Sequence, residues 1–253
     1  MKKRKLGQHF LYDGAIVGDI VAAADISPDD VVVEIGPGTG SLTEKLIDRA
    51  KKVIAIELDV SLYERLKGRF RGVLNLELVH GDALRYDYGA VGMFKVVANI
   101  PYYITTPLIF RLFAERDTLT GMTLMVQKEL AQRIASPPGR KSYGVLSIMS
   151  QLVSVPEIKF IVSRELFRPP PEVDSAVIGF KMLREERVRV ADEKLFIAIV
   201  RTAFSMRRKT LSNNLKGFNA GVGDILNSIG IDPARRPETL SIDEFARIAN
   251  ALT

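Results

Sequence analysis

Between Val31 and Ile134, short apolar runs alternate with stretches whose apolar residues recur at helical intervals. No other feature constrains the fold as much. Val31-Val32-Val33, Val53-Ile54-Ala55-Ile56, Leu76-Glu77-Leu78-Val79, Val96-Val97-Ala98 and Thr123-Leu124-Met125-Val126 are β-branched or apolar, while Leu42–Leu46, Leu62–Phe70 and Leu108–Phe113 carry the helical spacing. Strands that alternate with helices predict βαβ units, hence an α/β fold with a parallel sheet covered on both faces. Two later runs, Ile158–Val162 and Ala176–Met182, are joined through Pro169-Pro170-Pro171 by a link too short for a crossover helix, so they are expected to pair antiparallel. Charge rises and apolar content falls around Arg184–Asp192. Beyond that point Leu195–Phe204, Leu211–Leu215, Val222–Ile229 and Ile242–Leu252 read as short helices, the last opened by a Ser241/Glu244 capping box. The expected organisation is a sheet domain over residues 1–185 and a small all-α domain over residues 186–253.

Composition removes several classes. Among 253 residues there is no Cys and there are 2 His, so a disulfide framework, a thiolate metal site and a thiol nucleophile are excluded, and a transition-metal site is not expected. The longest uncharged stretches, Val96–Phe110 and Ser142–Pro156, fall short of the ~20 apolar residues of a membrane-spanning helix. The basic N-terminus meets no long apolar core, so no signal peptide is visible and a cytoplasmic protein is expected. Lys and Arg number 36 against 30 Asp and Glu. The excess is concentrated in Lys2, Lys3, Arg4 and Lys5 and in Arg201, Arg207, Arg208, Lys209 and Lys216; without these nine, 27 bases face 30 acids. Such clustering points to a polyanion partner, the other reading being a solvated tail and a solvated helix face.

Four strand ends carry chemistry. Val31-Val32-Val33 runs into Glu34-Ile35-Gly36-Pro37-Gly38-Thr39-Gly40, a turn that lets backbone amides approach a ligand because no Cβ intervenes. Its G-x-G-x-G spacing differs from the G-x-G-x-x-G of a pyrophosphate site. Glu57 closes the second strand, where an acid can bind both hydroxyls of a ribose. Asp82 follows the third, placed to meet an adenine amino group. Asn99-Ile100-Pro101-Tyr102 follows the fourth. An exocyclic base amine is a poor nucleophile because its lone pair is delocalised into the ring. Acceptors on its hydrogens, the Asn99 side-chain oxygen and the Ile100 carbonyl, favour a tetrahedral nitrogen aimed at a sulfonium methyl, and the Tyr102 ring offers a stacking face for a flipped base. Each carboxylate alone would more often be a loop or capping residue; together the elements describe a nucleoside pocket. His80, beside Gly81 and Asp82, reads as exposed or supporting rather than catalytic.

In order, Gly7-Gln8-His9-Phe10-Leu11, Glu34–Gly40, Ile56-Glu57-Leu58-Asp59, Gly81-Asp82-Ala83, Asn99–Tyr102, Phe167–Ser175 and Ala203–Leu211 resemble the ribosomal RNA adenine N6-dimethyltransferase family nearly end to end. The last motif is closest to the bacterial small-subunit branch linked to kasugamycin sensitivity. The resemblance implies a class I, Rossmann-like methyltransferase that uses S-adenosylmethionine, releases S-adenosylhomocysteine and needs no metal. It implies cofactor contacts from His9, Leu11, Gly36, Gly38, Glu57, Asp82 and Asn99. Asn99, Ile100, Pro101 and Tyr102 would form the catalytic motif, with Tyr102 and Phe167 sandwiching the target adenine. Lys3, Arg4, Lys5, Arg207, Arg208 and Lys209, with Asn213 and Asn214 nearby, would face RNA. The implied product is N6,N6-dimethyladenosine at two adjacent adenosines near the 3′ end of small-subunit (16S) rRNA, made by a monomer during subunit assembly. His9 and Tyr103 depart from the commonest bacterial pattern, in both cases beside the pocket. Two alternatives stay open: a macrolide-resistance-type enzyme acting on large-subunit rRNA, and an RNA-binding assembly factor without turnover.

Overall fold

The computed structural model describes residues 10–11, 13–206 and 208–253. His9, Lys3, Arg4, Lys5 and Arg207 therefore lie outside the described residues. The chain divides into two compact units, Met1–Ala131 with Pro156–Met182 and Gln132–Val155 with Leu183–Thr253.

The first unit is built on a seven-stranded sheet. In chain order β1 (Phe10–Leu11) is followed by α1 (Gly14–Ala23), β2 (Val31–Ile35), α2 (Ser41–Ile47), β3 (Lys52–Glu57), α3 (Val60–Arg69), β4 (Leu76–His80), β5 (Phe94–Asn99), α4 (Thr105–Phe113), β6 (Leu119–Gln127), α5 (Lys128–Ile134) and α6 (Val145–Val153). Then come β7 (Ser154–Val162), β8 (Phe167–Arg168) and β9 (Ser175–Met182). The sheet order is β4-β3-β2-β5-β6-β9-β7, with β1 and β8 forming a separate antiparallel pair. Pairings from β4 to β6 are parallel, and β9 runs antiparallel to β6. The runs Ile158–Val162 and Ala176–Met182 become neighbours β7 and β9. Central strands β2, β3 and β5 are buried almost throughout, which is why their sequences are continuous apolar runs. Edge strand β7 alternates between buried and exposed positions, as a strand with one wet face does.

Sequence pattern alone misses α1 and α6. GAIVGDIVAA is apolar around most of its circumference. In α6 five consecutive residues, Leu146 to Ser150, are buried. A helix buried on several sides, like α6, has no polar stripe to reveal it, and neither does α1, whose exposed face carries mainly Gly14, Ala15 and Ala22. Asp13 and Asp59 cap α1 and α3, and Asp192 caps the later helix α7 (Glu193–Ala203), each accepting two backbone N–H bonds.

The second unit comprises α6, α7 (Glu193–Ala203), α8 (Leu211–Leu215), α9 (Val222–Ser228) and α10 (Ile242–Ala251). Residues 132–155 belong to it because α6 packs on α7, whereas the sequence reading assigned them to residues 1–185. The rings of Tyr143, Phe204 and Phe245 form its spine. Ser241 caps α10 in the expected capping box with Glu244, and Arg235 grips both oxygens of that Glu244 carboxylate. Burial raises the Glu244 pKa, but hydrogen bonds from Arg235 and Ser241 outweigh it and hold the group below its ordinary value. The resulting stability is present above the unfolded carboxylate pKa and is lost as pH falls through the lowered one. Glu244→Gln should therefore lower the Tm at pH 7 by a few degrees, with the difference from wild type closing below about pH 4 in thermal melts.

Candidate active site at the carboxyl edge of the sheet

Strand order locates the site. From β2 the chain builds outward through β3 and β4, then returns to the other side of β2 to lay down β5 and β6. Loops leaving β2 and β5 therefore diverge, opening a crevice at the carboxyl ends where open α/β sheets bind ligands. A cavity of about 350 Å³ lies there, within the usual range for small-ligand sites. Leu11, Gly36, Gly38, Glu57, Asp82, Asn99, Ile100, Pro101, Tyr102 and Phe167 all line it. Every described residue expected to hold the cofactor or the target base is thus brought to one cavity.

The glycine turn forms the floor. Gly36, Gly38 and Gly40 have φ of +69°, +60° and +86°, a region that costs other residues about 1–2 kcal/mol. A Cβ on Gly36 would project into the gap between the loops, 3.8 Å from Pro101 Cδ and 3.9 Å from the Asn99 carbonyl oxygen. One on Gly40 would come within 2.7 Å of the Phe70 ring. The first glycine keeps the cradle open and the last lets α3 close against the turn.

Two buried acids stand beside it. Glu57 is held at both oxygens: Gly38 N–H donates to Oε2 at 3.1 Å and Asp59 N–H to Oε1 at 2.9 Å. Each oxygen retains a lone pair, enough for two hydroxyls. Glu34, at the end of β2, is 1% exposed, and its Oε2 has no hydrogen-bond partner. Burial pushes its carboxyl up to about 8; Thr43 pulls it down and the nearby Glu57 charge adds to the rise. The sequence reading treats Glu34 only as part of the glycine motif. An acid inside a strand of otherwise apolar, buried residues is the signal that marks it.

The remaining walls come from β4 and β5. Asp82 accepts from Leu84 N–H through Oδ1 at 2.9 Å, and Arg85 Nε lies 4.0 Å from its Oδ2. His80 does not line the cavity; it is exposed, its Nε2 lies 3.2 Å from the Leu58 carbonyl oxygen and its ring packs on Tyr63. Asn99 ends β5 opposite Met125, and Ile100 N–H donates to the Met125 carbonyl at 3.3 Å. The hydroxyls of Tyr102 and buried Ser175, at the head of β9, are 2.7 Å apart, which fixes the Tyr102 ring. Phe167 pairs with Leu11 in the β1–β8 ladder and is 1% exposed among Leu11, Val17 and Ile20. It is a wall of the cavity rather than an open platform.

In the second unit Arg208 and Lys209 are exposed. Asn214 departs from the surface role expected of it. It is 9% exposed and its Nδ2 donates to the Ala203 and Met206 carbonyls, so it shapes the turn after α7. Among the described residues no group of acids and histidines could hold a metal, and no helix is long and apolar enough to cross a membrane.

A carboxyl that stays protonated in the folded state while the unfolded chain ionises makes stability fall as pH rises from about 4.5 to about 8. Glu34→Gln removes that proton exchange. Its Tm relative to wild type should therefore rise by several degrees between about pH 5 and about pH 8.5; a gap that does not change with pH would place a carboxyl of ordinary pKa at this position.

Comparison with known proteins agrees with this geometry. The family model for ribosomal RNA adenine dimethylase matches residues 1–253. Ribosomal RNA small subunit methyltransferase A of Clostridium botulinum (strain Loch Maree) is 45% identical over 256 residues, covering 98% of this chain and 93% of its own. The protein of that name from Geobacillus kaustophilus is 45% identical over 265 residues, covering 99% and 90%. Among solved structures, a dimethyladenosine transferase from Plasmodium falciparum superposes with a TM-score of 0.84 at 30% identity, covering 95% of this chain and 96% of that one. The 23S rRNA methyltransferase ErmE does so at 0.78 and 28%, covering 96% and 99%. With its full length matched and its motif residues gathered at one cavity, this chain belongs to the ribosomal RNA adenine dimethylase family.

Proposed function

We propose that the protein dimethylates N6 of two adjacent adenosines near the 3′ end of small-subunit rRNA, with the cavity at the ends of β2 to β5 holding cofactor and target base. It is an S-adenosylmethionine-dependent rRNA adenine dimethyltransferase of class I, Rossmann-like fold. The observation that carries the residue assignment is the single cavity lined by both the glycine turn and the Asn99–Tyr102 motif. The residues present fit the cofactor: Gly36 leaves a cradle that a Cβ would fill, and Glu57 keeps lone pairs free for a ribose.

S-adenosylmethionine, when bound, supplies an electrophilic methyl group on a sulfonium. The chain's own part is to bind, orient and hold. Glu57 takes the ribose hydroxyls, Asp82 the adenine amino group, and Leu11 and Gly38 complete the cofactor site. Asn99 Oδ1 and the Ile100 carbonyl accept the N6 hydrogens of the target base, Pro101 stiffens the motif and the Tyr102 ring stacks on the base. Phe167 forms part of the cavity wall beside Leu11. The methylated nitrogen is acidic enough to lose its proton without a strong base, so catalysis is positioning. Arg208 and Lys209, with Arg207, Lys3, Arg4 and Lys5, contact RNA phosphates. The first unit thus carries the chemistry, and the second unit together with the N-terminal Lys3–Lys5 carries the rRNA contacts, in a cytoplasmic monomer acting on the assembling small subunit.

Label from S-adenosylmethionine should appear as dimethyladenosine in unmethylated small subunits. Label in large subunits instead would move the protein to the ErmE-like reaction, and no label on either would favour an assembly factor. Asn99→Ala should lower kcat roughly 100-fold while changing S-adenosylhomocysteine affinity far less; an unchanged kcat would remove Asn99 from the chemistry.

A further inference from the structure

Tyr103 follows the Asn99–Tyr102 motif, lines the same cavity and is 55% exposed. It lies in a single 3₁₀ turn, Tyr102–Ile104, closed by Ile104 N–H donating to the Pro101 carbonyl at 3.1 Å. With three residues per turn, consecutive side chains leave a 3₁₀ axis about 120° apart. Tyr102 and Tyr103 therefore cannot serve the same face. The Tyr102 hydroxyl is tied to Ser175 on β9, on the β6 side of β5. The charges that act on the Tyr103 phenol are Asp82 and Glu57, at the ends of β4 and β3 on the other side of β5. Burial and then these two carboxylates raise its pKa, so the phenol keeps its proton.

We propose that Tyr103 is a cofactor-binding residue, whose ring forms the outer wall of the cavity over the half bounded by Glu57 and Asp82 and contacts the adenosine part of S-adenosylmethionine. This rests on the reading that Glu57 takes the ribose and Asp82 the adenine. Adjacent tyrosines then divide the work: Tyr102 for the base that receives the methyl group, Tyr103 for the nucleoside that delivers it. An aromatic wall against a purine works by stacking, which depends on the ring more than on the hydroxyl.

Calorimetric titration of the full chain with S-adenosylmethionine, S-adenosylhomocysteine and 5′-methylthioadenosine tests this, because the three share only the thioadenosine. Tyr103→Ala should weaken all three by a similar factor, roughly tenfold, while affinity for small subunits stays at the wild-type value. Tyr103→Phe should recover most of the loss. A thermal melt of each variant checks the fold, which an exposed side chain is not needed to hold. Unchanged affinity for the three ligands, or a loss confined to small-subunit binding, would overturn the proposal. Asp82→Ala separates the failures. If it weakens the ligands and Tyr103→Ala does not, the assignment of Tyr103 alone is wrong; if neither does, the reading of the cavity is wrong.

Discussion

The Glu57 carboxylate is the joint on which the site depends. Its two oxygens accept N–H bonds from Gly38, on the loop after β2, and Asp59, on the loop after β3. Charge-assisted bonds of this kind fix both loops with one buried group. The left-handed backbone at Gly36 and Gly38 is what turns the Gly38 N–H toward it. The Gly36 N–H, bonded to the Ile56 carbonyl at 2.9 Å, continues the sheet's hydrogen bonding into the turn. A group already pinned by two donors, with lone pairs left over, is a preorganised acceptor for a diol.

That arrangement has a cost, carried by Glu34. A second carboxyl deep in the same region cannot ionise cheaply beside Glu57, and burial keeps it protonated to about pH 8. Its unpartnered Oε2 is a buried polar group that a folded chain ordinarily avoids. Opposite, the Asn99–Tyr102 segment is secured by bonds to β6 and β9, through Ile100 to Met125 and Tyr102 to Ser175. The two walls of the cavity are thus held independently, one by a carboxylate and the other by strand pairing.

Much of this is legible in the sequence, for a physical reason. Strands buried on both faces are spelled in β-branched runs, and polar residues at their carboxyl ends stand out against them; Glu57, Asp82 and Asn99 are visible on that account. What stays hidden depends on tertiary burial. Helix α6 lacks a polar stripe because several of its sides are covered, and α1 lacks one because its exposed face is mostly Gly14, Ala15 and Ala22. Asn214 looks like a surface residue near a basic run, yet it turns inward to satisfy two carbonyls left free after α7. Phe167 reads as a stacking ring, and only the ladder with Leu11 reveals how deeply it is set. The different tasks of Tyr102 and Tyr103 cannot be told from adjacent identical letters; they follow from the helical turn and the order of strands.

The central claim is that the cofactor's nucleoside lies along the ends of β2, β3 and β4, with the reacting end at β5. A crystal structure of the full chain soaked with S-adenosylhomocysteine tests it most directly. The expected result is density with the ribose at Glu57, the adenine at Asp82 and the sulfur nearest Asn99. Density for the adenine between β5 and β6, or a ligand making no contact with Glu57, would contradict the account.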